Sequence, residues 1–217
     1  MTPFPVNIAF ANELSIVADA IGLDVWEVIR LANRHPRVNI LNPGPGVGGH
    51  CIAVDPWFIV HGAREETPLI QTARGVNDGK IRHVIARASA LVESHPGDQI
   101  ACLGLAFKAN IDDFRESPAR LVAGTLARRY GARVHLVEPF TSELPIEFEG
   151  TGATKLDLET ALATCGVLIV LVDHDQFRQV PLERRANKFV YDTRGIWLDQ
   201  PAPPEPAVSV EEQRKAG

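Results

Sequence analysis

Cysteine is scarce in this chain, with Cys51, Cys102 and Cys165 the only three among 217 residues. An odd number without a CxxC pair excludes a disulfide framework and a zinc ribbon, and leaves at least one thiol free. His50, Cys51 and His61 have no accepted metal-ligand spacing either. Long apolar runs are absent: no stretch nears the roughly 18 consecutive apolar residues of a membrane helix. The opening MTPFPVNIAF lacks a basic region followed by an apolar core and cleavage site. A cytoplasmic protein with no membrane partner is expected. Positive charge is not in excess, since the net charge is -5 and the pI about 5.8, so no general grip on nucleic acid is expected. What is present is the ordinary balance of a folded domain, with 45% apolar and 23% charged residues. The length suits one large domain or two small ones.

From Val6 to about Gly22, apolar residues recur at helical spacing and stop at glycine. Asp24 is placed to cap a second helix, VWEVIRLANRH, ended by His35-Pro36. After a Pro/Gly-rich loop, DPWFIVHGA and TPLIQTARGVNDGKIRHVIARASALVES read as helices, the second long and interrupted near Gly75. Residues 1–95 thus read as an all-helical region. The pattern then changes to short β-rich runs alternating with helix-length segments: QIACLGLAF, ESPARLVAGTLARRYG, ARVHLVEP, LDLETALATCG, VLIVLVDH and KFVYDTR. Such alternation implies right-handed crossovers and a parallel sheet covered on both faces. The expected fold is therefore α/β, a helical region followed by a small Rossmann-like domain over residues 96–200. The tail 201–217, PAPPEPAVSVEEQRKAG, is too poor in apolar residues to bury anything and is expected to be disordered.

The loop NPGPGVGGHC runs from Asn42 to Cys51. Gly44, Gly46, Gly48 and Gly49 look superficially like a dinucleotide fingerprint, but the spacing is GxGxGG and no strand precedes it. The likelier use of these glycines is steric, because a backbone without Cβ atoms can approach a ligand closely and present amides to it. Cys51 ends the loop beside His50, with Asp55 following. On spacing alone it is either a small buried hydrophobe or a nucleophile activated by neighbouring donors.

The whole phrase RVNILNPGPGVGGHCIAVDPWF closely resembles the signature around the active-site thiol of the nucleotide-sugar 6-dehydrogenases, the UDP-glucose/GDP-mannose dehydrogenase family. Within that family it is most similar to the UDP-N-acetylmannosamine branch. The resemblance continues through NIAFANELS, IRLANRHPR, GLAFKANIDDFRESPA, VDHDQF and YDTRGIW, nearly the whole chain apart from the tail. It implies oxidation of a sugar C6 alcohol to a carboxylate with two NAD molecules, through a thiohemiacetal and a thioester on a cysteine. By match of motif, Cys51 would be that nucleophile and Asp55 the carboxylate assisting water. Lys108 would contact the sugar nucleotide, Arg194 its nucleotide portion, and Arg115 the cofactor pyrophosphate. The loop backbone at Gly46, Gly48 and Gly49, with Asn42 at its start, is expected to meet the substrate. Arg37, or Arg34 in its place, would reach substrate in the neighbouring subunit of a homodimer built on the helical region. Either arginine could instead cap the preceding helix.

The resemblance also implies a preceding Rossmann domain for NAD, and no strand with a GxGxxG turn occurs in these residues. The family's lysine before the first helix would lie ahead of Met1, and its asparagine falls on Met1. These residues are therefore expected to form an incomplete enzyme needing a separate NAD domain. The alternatives are a UDP-sugar-binding and dimerisation module without chemistry, or a dehydrogenase of another UDP-hexose.

Overall fold

The structure is a computed structural model that describes residues 4–198, with the backbone alone for Phe4, His50, Cys51 and Ala53. The expected disordered tail, 201–217, and the asparagine position at Met1 lie outside the described residues. Four helices come first: α1 (Phe4–Ala20), α2 (Val25–Ala32), α3 (His50–Gly62) and α4 (Pro68–Glu93). Helix α1 closes where Gly22 takes φ +71° and the Leu23 amide donates to the Ala18 carbonyl, satisfying an end-of-helix acceptor. Asp24 then caps α2, accepting from the amides of Trp26 and Glu27. This helix stops at Ala32, earlier than its sequence suggests. The Asn33 side chain clamps Ile40, donating to its carbonyl and accepting from its amide, and so folds the turn back.

Helix α4 corrects a second expectation. It runs unbroken through Gly75 for 26 residues, roughly 39 Å at helical rise. Packing explains this. It packs along α1, meeting it from Asn77 to Arg87, and it carries the buried Val84, Ala88 and Val92 into the same core as the sheet. Burying each of the two valines contributes about 1.5–3 kcal/mol, which outweighs the roughly 1 kcal/mol helix penalty of one glycine. The helical layer and the sheet thus share α4.

The sheet has five parallel strands in the order β3-β2-β1-β4-β5. They are β1 (Ile100–Leu103), β2 (Val134–Val137), β3 (Thr154–Lys155), β4 (Val167–Val170) and β5 (Phe189–Asp192). Helix α5 (Pro118–Tyr130) links β1 to β2, and α6 (Leu158–Thr164) links β3 to β4. Short helices α7 (Asp175–Arg178) and α8 (Leu182–Arg185) precede β5. Alternate residues of each strand face opposite cores. Ile100, Cys102, Val134, Leu136, Val167 and Ile169 pack toward α4 and α5, while Ala101, Leu103, Val137, Leu168 and Val170 pack toward α6 and Phe177. The edge strand β3 and the two short helices carry too few residues to show a period and escape sequence reading.

Gly75 is exposed, and a Cβ added there would meet nothing within 4 Å. Gly75→Ala is expected to stabilise the fold by about 0.5–1 kcal/mol, read as a rise in the urea midpoint at unchanged slope; a fall would mean that α4 needs the glycine.

Candidate active site

Strand order reverses between β1 and β4, because β1 leads outward to β2 while β4 lies on its other side. In open parallel sheets the carboxyl ends of the strands at such a point diverge and leave a crevice for ligands. Here it is lined by Ala106 and Phe107 beyond β1, Leu171, Val172 and Asp173 beyond β4, and Arg194 beyond β5. Pro118 and Ala119, at the N-terminus of α5, form one wall. Ser117 caps that helix by accepting from the Arg120 amide, so the positive end of a 13-residue helix opens on the crevice. Pro45 and Gly46 of the glycine loop close the remaining side.

Arg194 is held across this crevice by Asp173, with Nε and Nη2 at 3.1 and 2.9 Å from Oδ1. Burial tends to raise the Asp173 carboxyl, but Arg194 and Arg178 beside it keep it below the usual carboxylate range. The turn carrying Arg194 is itself fixed. Asp192 accepts from the amides of Arg194, Gly195 and Trp197 at 2.8–2.9 Å. A Cβ on Gly44 would run into the Arg194 guanidinium, so the start of the glycine loop passes directly over it.

The glycine loop is tied down at both ends. At its start the Gly44 amide donates to Oδ1 of the fully buried Asn12 at 3.0 Å, and Asn12 Nδ2 donates to Asn77 Oδ1 at 2.9 Å. At its end the Gly49 amide donates to the Arg115 carbonyl at 3.3 Å. Gly49 has φ +82°, and a Cβ there would sit 2.9 Å from the Phe107 ring. At Gly48 it would sit 2.6 Å from the Glu116 carbonyl oxygen. Close backbone approach, the steric use expected of these glycines, is thus made first to the protein's own loop beyond β1. Cys51 falls in the first turn of α3, two residues past Gly49, and not at the end of the loop. The other two thiols are core residues. Burial pushes Cys102 up to about 12 and also raises Cys165, so both stay protonated and unreactive.

The remaining expected residues are more dispersed. Lys108 is exposed, next to Phe107 on the crevice rim. Arg115 is exposed and bound to Asp113, whose carboxyl it draws down to about 2 by side-chain and backbone hydrogen bonds. Asp55 is exposed on α3, one turn beyond position 51. Arg34, Arg37 and Asn42 are exposed, and none lines the crevice. The helix end near the two arginines is closed by Asn33. Sequence reading missed Asp173, Glu138, His174, Asn110, Asn12 and Ser117. The available signal for Glu138 and Asp173 was an acidic residue directly after a buried β-run, the carboxyl edge of a parallel strand.

Fit to a nicotinamide dinucleotide can be tested at the amides after β1, which hold the pyrophosphate in dinucleotide-binding sheets. Here Leu105 and Ala106 donate theirs to Glu138 Oε2, at 2.7 and 3.2 Å. A second anion would meet a carboxylate already seated. The described residues therefore do not fit the main site of a dinucleotide.

A doubly wound sheet with a crevice at its switch point, a helix N-terminus and an arginine defines a nucleotide-binding α/β protein. The chain belongs to the UDP-glucose/GDP-mannose dehydrogenase family: residues 3–79 match its central domain and residues 101–199 its UDP binding domain. It is 53% identical over 192 residues to the NDP-N-acetyl-D-galactosaminuronic acid dehydrogenase of Ralstonia nicotianae, covering 88% of this chain and 45% of that protein. It is 52% identical over 200 residues to the UDP-N-acetyl-D-mannosamine dehydrogenase of Salmonella typhimurium, covering 88% and 47%. Among solved structures, the UDP-N-acetyl-mannosamine dehydrogenase of S. aureus superposes with a TM-score of 0.74 at 34% identity, over 90% of this chain and 46% of that one. The chain thus spans about half the length of the relatives it matches.

Gly48→Ala is expected to destabilise the fold by about 1–3 kcal/mol, since Glu116, Pro118 and Phe107 all crowd the added methyl. Gly62→Ala, with nothing within 4 Å of its Cβ, is the control and should shift the thermal midpoint little.

Proposed function

We propose that this chain supplies the nucleotide-sugar crevice and the thiol-bearing helix of an NAD-dependent nucleotide-sugar 6-dehydrogenase of the cytoplasm, with UDP-N-acetylmannosamine as substrate. The observation that carries this reading is the docking of the glycine loop, which leads into Cys51, onto the rim of the switch-point crevice. Arg194 and the N-terminal amides of α5 are suited to a diphosphate, with Lys108 at the rim as a further contact. Gly46, Gly48 and Gly49 lie on the loop between the crevice and position 51, and Asn42 would meet the substrate from the start of that loop.

Two chemical steps fall to these residues. The Cys51 thiolate adds to the C6 aldehyde carbon, forming a carbon–sulfur bond as the carbonyl π bond breaks, and the oxygen takes a proton from water to give a thiohemiacetal. After oxidation to the thioester, water attacks the same carbon, Asp55 accepts its proton, and the thiolate leaves with the uronate released. NAD would supply the oxidising power, with Arg115 as its proposed contact in this chain. The N-acetyl group is common to the sugars named for both relatives above, which supports an N-acetylated hexosamine over glucose. The exposed apolar residues Phe10, Val17, Ile21, Leu23 and Leu31 on the helical layer support a homodimer through this face, with Arg37 reaching the partner's substrate.

The test is reduced nicotinamide formed from NAD and UDP-N-acetylmannosamine, by the chain alone and with a separately expressed NAD-binding domain, alongside calorimetric UDP binding. Turnover is expected only with the added domain and should vanish in Cys51→Ser, while Arg194→Ala should weaken UDP binding about tenfold or more. UDP binding without turnover would make the chain a binding module; no UDP binding would overturn the reading.

A further inference from the structure

Two buried groups unused by the chemistry above lie beneath the crevice. Glu138, just after β2, is 1% exposed, and His174, just before α7, is 0% exposed. Glu138 Oε2 receives the Leu105 and Ala106 amides, and its Oε1 receives the Phe140 amide at 3.1 Å. His174 Nδ1 lies 2.9 Å from the Asn110 amide and must accept from it, because a backbone amide can only donate. The ring proton is thereby assigned to Nε2, which faces Glu138 Oε2 at 3.3 Å. Asn110 is held again by Asp175, donating from Nδ2 to the carboxylate at 2.8 Å and accepting the Asp175 amide at 3.0 Å.

Three of the anchored amides, at positions 105, 106 and 110, flank Phe107 and Lys108. The stretch they fix is held besides by the Phe107 amide, which donates to the Asp113 carbonyl at 3.0 Å. It is loop, and Asn110 sits at φ +62°, a left-handed conformation that asparagine takes more readily than other side chains and that its bonds to His174 and Asp175 fix here. Holding a buried carboxylate is costly unless its oxygens are fully bonded. An apolar side chain would fill the same space more cheaply but could not bind three amides. Burial raises the Glu138 carboxyl, yet the bonds from His174, Leu105 and Phe140 together hold it below its ordinary value.

We propose that Glu138 and His174 are positioning residues: they hold the loop from Leu105 to Asn110, and with it Lys108, in the shape that receives the diphosphate of a nucleotide sugar. This rests on the crevice being the nucleotide-sugar site. Neither residue lines the crevice, so both act through the loop. Glu138→Gln keeps the size of the side chain but turns an amide NH2 toward donors, removing at least one acceptor.

UDP affinity is to be measured by calorimetry for the unaltered chain, Glu138→Gln, Lys108→Ala and the double variant. Each single change is expected to weaken binding about tenfold, and the double variant to be within about twofold of Lys108→Ala, because a misplaced loop has already lost that contact. Losses that multiply would overturn the proposal, since Glu138 would then act independently of Lys108. Should Glu138→Gln fail to fold, His174→Phe enters the same cycle with the same expectations. Hydrogen exchange without ligand separates this idea from the nucleotide-site reading. Faster exchange in Glu138→Gln confined to residues 104–111 supports the positioning role even if UDP does not bind, and unchanged exchange there overturns it.

Discussion

Two backbones meet at Gly48 and Gly49 with no room for a side chain between them, and the relation of the thiol helix to the nucleotide crevice depends on that contact. The Gly49 amide reaches the Arg115 carbonyl, while Glu116 and Pro118 stand against Gly48. Pro118 also begins α5 and lines the crevice. One short stretch therefore fixes the first turn of α3, the rim of the crevice and the N-terminus of α5 relative to one another. A contact made by backbones has no rotamers to choose among, so it defines distance more sharply than a side-chain bridge of the same energy.

The far end of the glycine loop uses a different device. Asn12 is fully buried and satisfies both the Gly44 amide and Asn77, one from a loop and one from α4. Lys80, a turn further along α4, donates to Ser15, whose hydroxyl donates to the Asn12 carbonyl. Burial holds Lys80 down to about 8, against a partial lift from Asp19. Such polar contacts between helices contribute little net stability in themselves, but leaving any partner unmet costs about 1–3 kcal/mol. They penalise every other register of α1 against α4, and the glycine loop is set by that register.

Much of this was legible in the sequence, and the unread part has a common cause. The alternation of β-rich runs with helical segments gave the parallel sheet, because buried strands such as VLIV in β4 and a capping residue such as Asp24 carry their structure locally. The phrase around Cys51 pointed to the loop that closes one side of the crevice, since glycines at 46, 48 and 49 leave a spacing that can be seen. The relations that organise the site join residues far apart in sequence: Asn12 with Asn77, Glu138 with Leu105, His174 with Asn110. None leaves a local period. Gly75 misled in the opposite direction, because a local helix penalty of about 1 kcal/mol is smaller than what packing along α4 returns.

Under the proposed function, a dinucleotide-type topology serves a different ligand. Its switch point is where the order of strands predicts a nucleotide to lie, but the amides that would hold a pyrophosphate after β1 are occupied by Glu138. What remains open to a ligand is displaced toward β4, β5 and the start of α5, where Arg194 and the helix amides supply positive potential. A diphosphate there has the glycine loop on its other side, through Pro45 and Gly46. Under the proposed chemistry this displacement is useful, because a thiol attacking a carbon must be brought to about 3–3.5 Å. The carbon's position is set by a diphosphate anchored in the sheet, and the thiol's by a helix in the other layer. The two can be held to that tolerance only if the layers move together, and α4, packed on both α1 and the sheet core, is the element that makes them do so.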